Sequence, residues 1–135
     1  MKIEKFEEIE AWPLARELTR MVDAMTKKLE FAKDRELKGQ IRDAAGSAMH
    51  NVAEGFDSET NIEFIRFLRY AKRSCSEVQS ELYVAADEKH VTPAEFITVY
   101  EQARKTRAAV RGFINYLRKY EARKNSRPEP ALSTR

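Results

Sequence analysis

Residues 60–85 read Thr-Asn-Ile-Glu-Phe-Ile-Arg-Phe-Leu-Arg-Tyr-Ala-Lys-Arg-Ser-Cys-Ser-Glu-Val-Gln-Ser-Glu-Leu-Tyr-Val-Ala. Within this stretch Phe64, Leu68, Ala71, Cys75, Val78, Leu82 and Ala85 recur with spacings of 4, 3, 4, 3, 4 and 3. That period puts all seven on one helix face, with charged residues on the others. Thr60-Asn61-Ile62-Glu63 opens the run with a capping-box pattern, in which a hydroxyl and a carboxylate satisfy the first free N–H groups.

Three further helices follow from the same reasoning. One runs from about Trp12 to about Lys28, with Trp12, Ala15, Leu18, Val22, Met25 and Leu29 as its seam and Pro13 in its first turn. A second starts at Asp34, an N-cap, and ends at Gly55, read as the residue just past the helix; its seam is Leu37, Ile41, Ala44, Ala48 and Val52. Gly46 in its middle costs about 1 kcal/mol against Ala, which predicts a close helix contact there and disruption by Gly46→Leu. The last helix opens with Thr92-Pro93-Ala94-Glu95 and buries Phe96, Val99, Ala103, Thr106, Val110, Phe113, Leu117 and Tyr120, fading near Arg123. Short connections favour antiparallel neighbours. The expected fold is all-α, an antiparallel up-down-up-down four-helix bundle over residues 1–124, with residues 125–135 as a disordered polar tail.

Composition narrows the function classes. The 135 residues suit one domain with one core. A single Cys75 excludes an internal disulfide and points to a reducing cytoplasm. The longest stretch free of charged residues, Ala44 to Ala53, is half the roughly 20 needed to span a bilayer, so no membrane partner is expected. Charge is uneven: residues 101–135 carry 10 Lys/Arg against 3 Asp/Glu, whereas residues 1–100 carry 15 against 19. A basic end on a near-neutral body has two readings: the footprint of an anion or nucleic-acid partner, or a solvated helix face plus a loose basic tail, and charge alone favours the second.

Candidate chemistry is sparse. His50, Glu54, Glu77 and Glu81 offer the donors for a metal-dependent enzyme, but the Glu-x-x-His pattern of di-metal bundles is missing. Cys75 sits on the apolar seam without a His to activate it and reads as a small hydrophobe. No cofactor is expected. Polar stripes run beside two seams: Gln40, Ser47, Asn51 and Glu54 on the second predicted helix, and Ser74, Glu77 and Glu81 on the third. They are read as an interhelical hydrogen-bond network of Arg42, Ser47, Asn51, Glu54, Ser74 and Glu77, so Glu54→Ala should cost about 1–3 kcal/mol through stranded donors. Aromatics exceed one stripe on the third and fourth predicted helices, which implies a subunit interface besides the core.

Two blocks carry a family resemblance. Gln40-Ile41-Arg42-Asp43-Ala44-Ala45-Gly46-Ser47 followed by Asn51-Val52-Ala53-Glu54-Gly55-Phe56 resembles the signature of the bacterial 23S ribosomal RNA intervening-sequence proteins. Phe6, Trp12, the run Phe67 to Ser74, Glu77 and Leu82 extend the likeness over roughly residues 3–120. Asp43 departs from the family's usual Arg, and Ala32 from its Pro; the first departure weakens any basic surface on the second predicted helix. The resemblance implies a homopentameric ring and no catalytic activity. Related accessory proteins of diversity-generating retroelements look like basic pentameric barrels that bind a reverse transcriptase and nucleic acid.

The combined expectation is a non-enzymatic, homo-oligomeric binding protein. RNA, DNA or a nucleic-acid enzyme such as a reverse transcriptase would be its partner, met through Arg104, Arg107, Arg111, Arg118, Lys119, Arg123 and Lys124 on the last helix. The rival is a protein–protein scaffold whose basic residues only pair with acids of neighbouring helices.

Overall fold

The computed structural model describes residues 2–126. A 3₁₀ turn (Phe6–Glu8) precedes α1 (Ala11–Thr26), α2 (Leu29–Lys33), α3 (Arg35–Phe56), α4 (Asn61–Asp87) and α5 (Pro93–Ser126). The four long helices form a ring of neighbours in which α1 packs on α3 and α5, and α4 packs on α3 and α5. All contacts between neighbours are antiparallel. Thr19 reaches the Ala45 carbonyl at 3.2 Å, the Gln102 amide donates to the Leu14 carbonyl at 3.0 Å, and Phe64 meets Phe113 edge-on at 5.3 Å.

The helix starts follow the expected chemistry. Asp34 accepts from the Leu37 N–H at 3.2 Å, and Thr60 from the Glu63 N–H at 3.1 Å. At α5 the capping box is reciprocal: Glu95 N–H donates to Thr92 at 3.1 Å, and Thr92 N–H donates to the Glu95 carboxylate at 2.8 Å. Lys28 pairs with that same carboxylate and ties the connection after α1 to the start of α5.

Two ends differ from expectation. The first helix stops at Thr26, whose hydroxyl turns back to the Val22 carbonyl at 2.8 Å, and Lys28 is extended. Leu29 therefore does not continue the α1 seam: it is 71% exposed and opens α2, while Phe31 turns fully inward. Gly55 is not a left-handed terminator. It lies inside α3, and no described glycine has positive φ. The left-handed residue is Lys89 (φ 61°), which follows α4 in a Schellman turn, with His90 N–H bonding the Ala85 carbonyl at 2.8 Å. Glycine is the residue that this backbone favours. Lys89→Gly is expected to raise stability by roughly 0.5–1 kcal/mol. A urea midpoint that stayed put or fell would show that lysine sits there without strain.

The core has two apolar ends and a narrow waist. One end gathers Leu18, Val22, Phe31, Ile41 and Leu82; the other gathers Ile9, Val52, Phe64, Leu68, Val110 and Ile114. Between them the small side chains Ala15, Ala48 and Cys75 fill the layer, with Met49 packed against them. Burial pushes the Cys75 thiol up to about 12, partly offset by the nearby Arg107 guanidinium, so it behaves as an inert apolar group. The α4 seam is buried throughout, as its spacing predicts. On α5 the expected Phe96 and Phe113 are half-buried, Tyr120 is 47% exposed, and Ile114 is buried instead. A straight helix drifts about 20° per heptad, and the inward face moves with it. Asn61 bonds Glu121 at 2.8 Å, level with the start of α4. Beyond it α5 continues through Asn125 and Ser126, so these two expected tail residues are helical; the rest of that tail lies outside the described residues.

Candidate nucleic-acid interface

Helix phase divides the seven basic candidates on α5. At about 100° per residue, Arg107, Arg111 and Arg118 fall on the flank toward α4, Lys119 and Arg123 on the flank toward α1, and Arg104 points outward. Arg104, Arg111 and Arg118 repeat every seven residues, an axial step of about 10 Å. Lys124 and Arg123 stand on the overhang past Glu121. Lys105, which the sequence reading passed over, is exposed as well and lines a groove between α1 and α5 with Arg104, Gly112 and Tyr116.

Some cations of the bundle are held in ion pairs. Arg20 pairs with Glu17, Lys28 with Glu95, Lys33 with Glu30, Arg42 with Asp23, Arg66 with Glu63 and Arg104 with Glu101. Arg111, Arg118, Lys119, Arg123 and Lys124 are exposed and have no ion pair among the described residues. Arg107 differs from them. It is half-buried against α4, close enough to Cys75 to favour its thiolate, and its Nε is buried without a hydrogen-bond partner. It is less available to an outside anion than its neighbours.

The polar stripes meet only in part. Asn51 donates to the Ser47 carbonyl at 2.8 Å and to its hydroxyl at 2.9 Å. The Ser74 hydroxyl lies 3.0 Å from both the Ser47 hydroxyl and the Tyr70 carbonyl. Glu54 and Glu77 are exposed and stand outside this chain of bonds, while Arg42 turns to Asp23 on α1 at 3.0 Å. The expected loss of stability in Glu54→Ala therefore has no stranded donor behind it. The buried acid is Glu81, with one carboxylate oxygen enclosed and unpartnered. Burial first, then Glu77 and Asp43, push its pKa up to about 7. The four residues of the metal reading are not gathered: among the described residues no three His, Cys, Asp or Glu side chains converge on a common point.

On α4, Arg66, Arg69, Tyr70 and Arg73 form an outward stripe. The Arg66 guanidinium lies 5.5 Å from the Phe67 ring centre and 5.8 Å from that of Tyr70; Arg73 lies 5.6 Å from Tyr70. These arginines were legible in the run Phe67 to Ser74, but their exposure depends on how α4 is rotated in the bundle: Arg69 lies toward α5 and Arg66 and Arg73 point outward.

Comparison with known proteins agrees with this fold. The family model described as 23S rRNA-intervening sequence protein matches residues 7–112. A solved structure from Bacteroides thetaiotaomicron, a protein of unknown function from the S23 ribosomal protein family, superposes with a TM-score of 0.72. It shares 16% identity, and the match covers 78% of this chain and 95% of that one. None of the curated proteins matches this chain. With a bundle of the expected topology and a family match over most of its length, the chain belongs to the 23S rRNA-intervening sequence protein family.

Proposed function

We propose that this protein is a non-enzymatic, cytoplasmic, oligomeric nucleic-acid-binding protein that meets phosphodiester backbone through α5. The observation that carries this reading is the excess of exposed cations over acids on the second half of α5. From Arg111 to Ser126 five exposed cations, Arg111, Arg118, Lys119, Arg123 and Lys124, have no acidic partner among the described residues, and the single acid of that stretch, Glu121, is hydrogen-bonded to Asn61. The scaffold reading asks for such partners, and they are missing where the charge is densest. Unpaired surface cations raise the local potential and attract polyanions with little sequence preference. No helix among the described residues is long and apolar enough to cross a membrane.

Self-association belongs to the same proposal. The half of the α4–α5 face nearest their connection is apolar and aromatic: Tyr83 packs on Phe96 at 5.0 Å yet stays 56% exposed, beside Ile97 at 61% and Val84 at 46%. Such a patch suits contact with a second copy, and the family resemblance favours a ring of five. A nucleic-acid enzyme, such as a reverse transcriptase, is the protein partner that this reading favours.

Fluorescence anisotropy with labelled RNA and duplex DNA across a salt series tests the binding. The wild-type protein should weaken linearly in log salt. Arg111→Glu with Arg118→Glu should lower affinity at least tenfold at low salt and reduce the slope by about 1.8, the equivalent of two phosphates. Unchanged affinity and slope would move the search to protein partners.

A further inference from the structure

We infer that the interface is not confined to α5: Arg69 and Arg73 of α4 form a second phosphate-contacting stripe, with the Tyr70 ring as the element that positions it. The inference rests on the nucleic-acid reading above and adds a second helix to that site. Three observations carry it.

The first is register. The pairs Asn61–Glu121, Phe64–Phe113 and Tyr83–Phe96 set the antiparallel alignment of α4 and α5. They place Arg69 about level with Arg111, and Arg73 about level with Arg107. The nearness of Cys75 to Arg107 agrees with that level. Arg69 lies on the flank of α4 that faces α5, and Arg111 on the flank of α5 that faces α4. Arg69 and Arg111 therefore share one surface, and Arg73, about 40° further round α4, carries that surface outward.

The second is pairing. Arg66 is engaged by Glu63 and by the Tyr70 hydroxyl, whereas Arg69 and Arg73 are exposed and have no ion pair among the described residues. Glu77, one turn beyond Arg73, bounds the stripe with the opposite charge.

The third is the ring. A guanidinium over an aromatic face uses its flat side and leaves its in-plane N–H donors outward. Tyr70 holds Arg66 and Arg73 in this manner, at 5.8 and 5.6 Å. A long flexible side chain so held loses less freedom when it meets a phosphate oxygen, which is the benefit of preorganisation. Nucleic acid fits this surface better than an anionic membrane. A membrane-surface helix turns an apolar face to the lipid, whereas the apolar face of α4 is buried in the bundle.

The test uses the full chain with labelled single-stranded RNA and duplex DNA over a salt series. Arg69→Glu with Arg73→Glu should lower affinity at least tenfold at low salt and reduce the salt slope by about 1.8 on duplex DNA and about 1.4 on the single-stranded RNA. Tyr70→Ala should weaken binding by about threefold while Tyr70→Phe, which keeps the ring, should bind as wild type. Arg69→Gln with Arg73→Gln, checked for an unchanged helical spectrum, guards against a folding defect and should show the same direction of change. A wild-type slope in the α4 variants alongside a reduced slope in the Arg111 and Arg118 variants would overturn this inference and leave the α5 reading standing. No binding by the wild type would sink both. Tight binding to phosphatidylserine vesicles without binding to RNA or DNA would replace nucleic acid with a lipid surface and overturn the inference as well.

Discussion

Lowering the pH from 8 to 5 should stabilise the folded protein by about 2 kcal/mol, through the single side chain Glu81. This carboxyl sits on α4 opposite α3, 9% exposed, with Oε1 enclosed and unpartnered. Burial and the charges of Glu77 and Asp43 push its pKa from 4.5 up to about 7. The sign follows from proton counts. Between about pH 4.5 and 7 the folded protein holds this proton and the unfolded chain has lost it. Raising the pH through that window therefore favours unfolding, and above about 7 the penalty levels off. Asp34 acts the other way in a separate range. The His90 hydrogen bond, helped by the Leu37 N–H, holds its carboxyl below the usual value, so its contribution is lost only on strong acidification. Glu81→Gln keeps the side chain's size and removes the titration. It should raise the melting temperature by several degrees at pH 8 and change little at pH 5. Equal effects at both values, or none at either, would remove Glu81 as the source.

Glu81 also marks where sequence reading stops. Its place beside the α4 seam was visible from the spacing of Ser74, Glu77 and Glu81. Which of the three turns inward was not, because that depends on the rotation of α4 against α3. In the bundle Ser74 and Glu81 flank the seam on the α3 side, while Glu77 points outward. Glu77 lies only about 40° from Glu81 and about 60° from Ser74 around the helix, and that is enough to put it in solvent. The polar chain was therefore legible for Ser47, Asn51 and Ser74 and misread for Glu54, Glu77 and Arg42.

The fold itself was far more legible, for a physical reason. Its helices are set by local chemistry: caps at Asp34, Thr60 and Thr92, and apolar periods running many turns. Such signals act within a few residues of themselves. Leu29 and Phe31 show the limit. Periodicity alone carries Leu29 on as the next seam residue, and only the break at Thr26 to Lys28 exchanges it for Phe31. The basic candidates were legible as charge. Their availability was not, since a pair such as Arg42–Asp23 spans two helices.

Glycine substitutions should divide by sign, with Gly55 against the other three. A Cβ added at Gly55 would stand 2.7 Å from Cδ1 of Phe64 and 3.0 Å from Cβ of Phe67. The Phe64 ring has little room to yield, being packed edge-on between Phe56 and Phe113. The Phe67 Cβ cannot move without the α4 backbone. Gly55→Ala is therefore expected to cost about 1–2 kcal/mol net, an overpacking penalty of about 1–3 reduced by the better helix propensity of alanine. Gly55→Leu should lose more. The expected close approach at Gly46 is absent: an added Cβ would meet only the exposed His50 ring at 3.9 Å, and nothing lies within 4 Å at Gly39 or Gly112. Alanine at any of these three should gain roughly 0.5–1 kcal/mol, because a helix-interior glycine is costly where no neighbour requires it. Gly46→Leu should likewise leave the bundle core intact. Urea unfolding followed by circular dichroism separates the two groups. A Gly55→Ala protein as stable as the parent would mean that α3 and α4 can part at no cost. The close approach of α3 to α4 would then lie elsewhere than at this glycine.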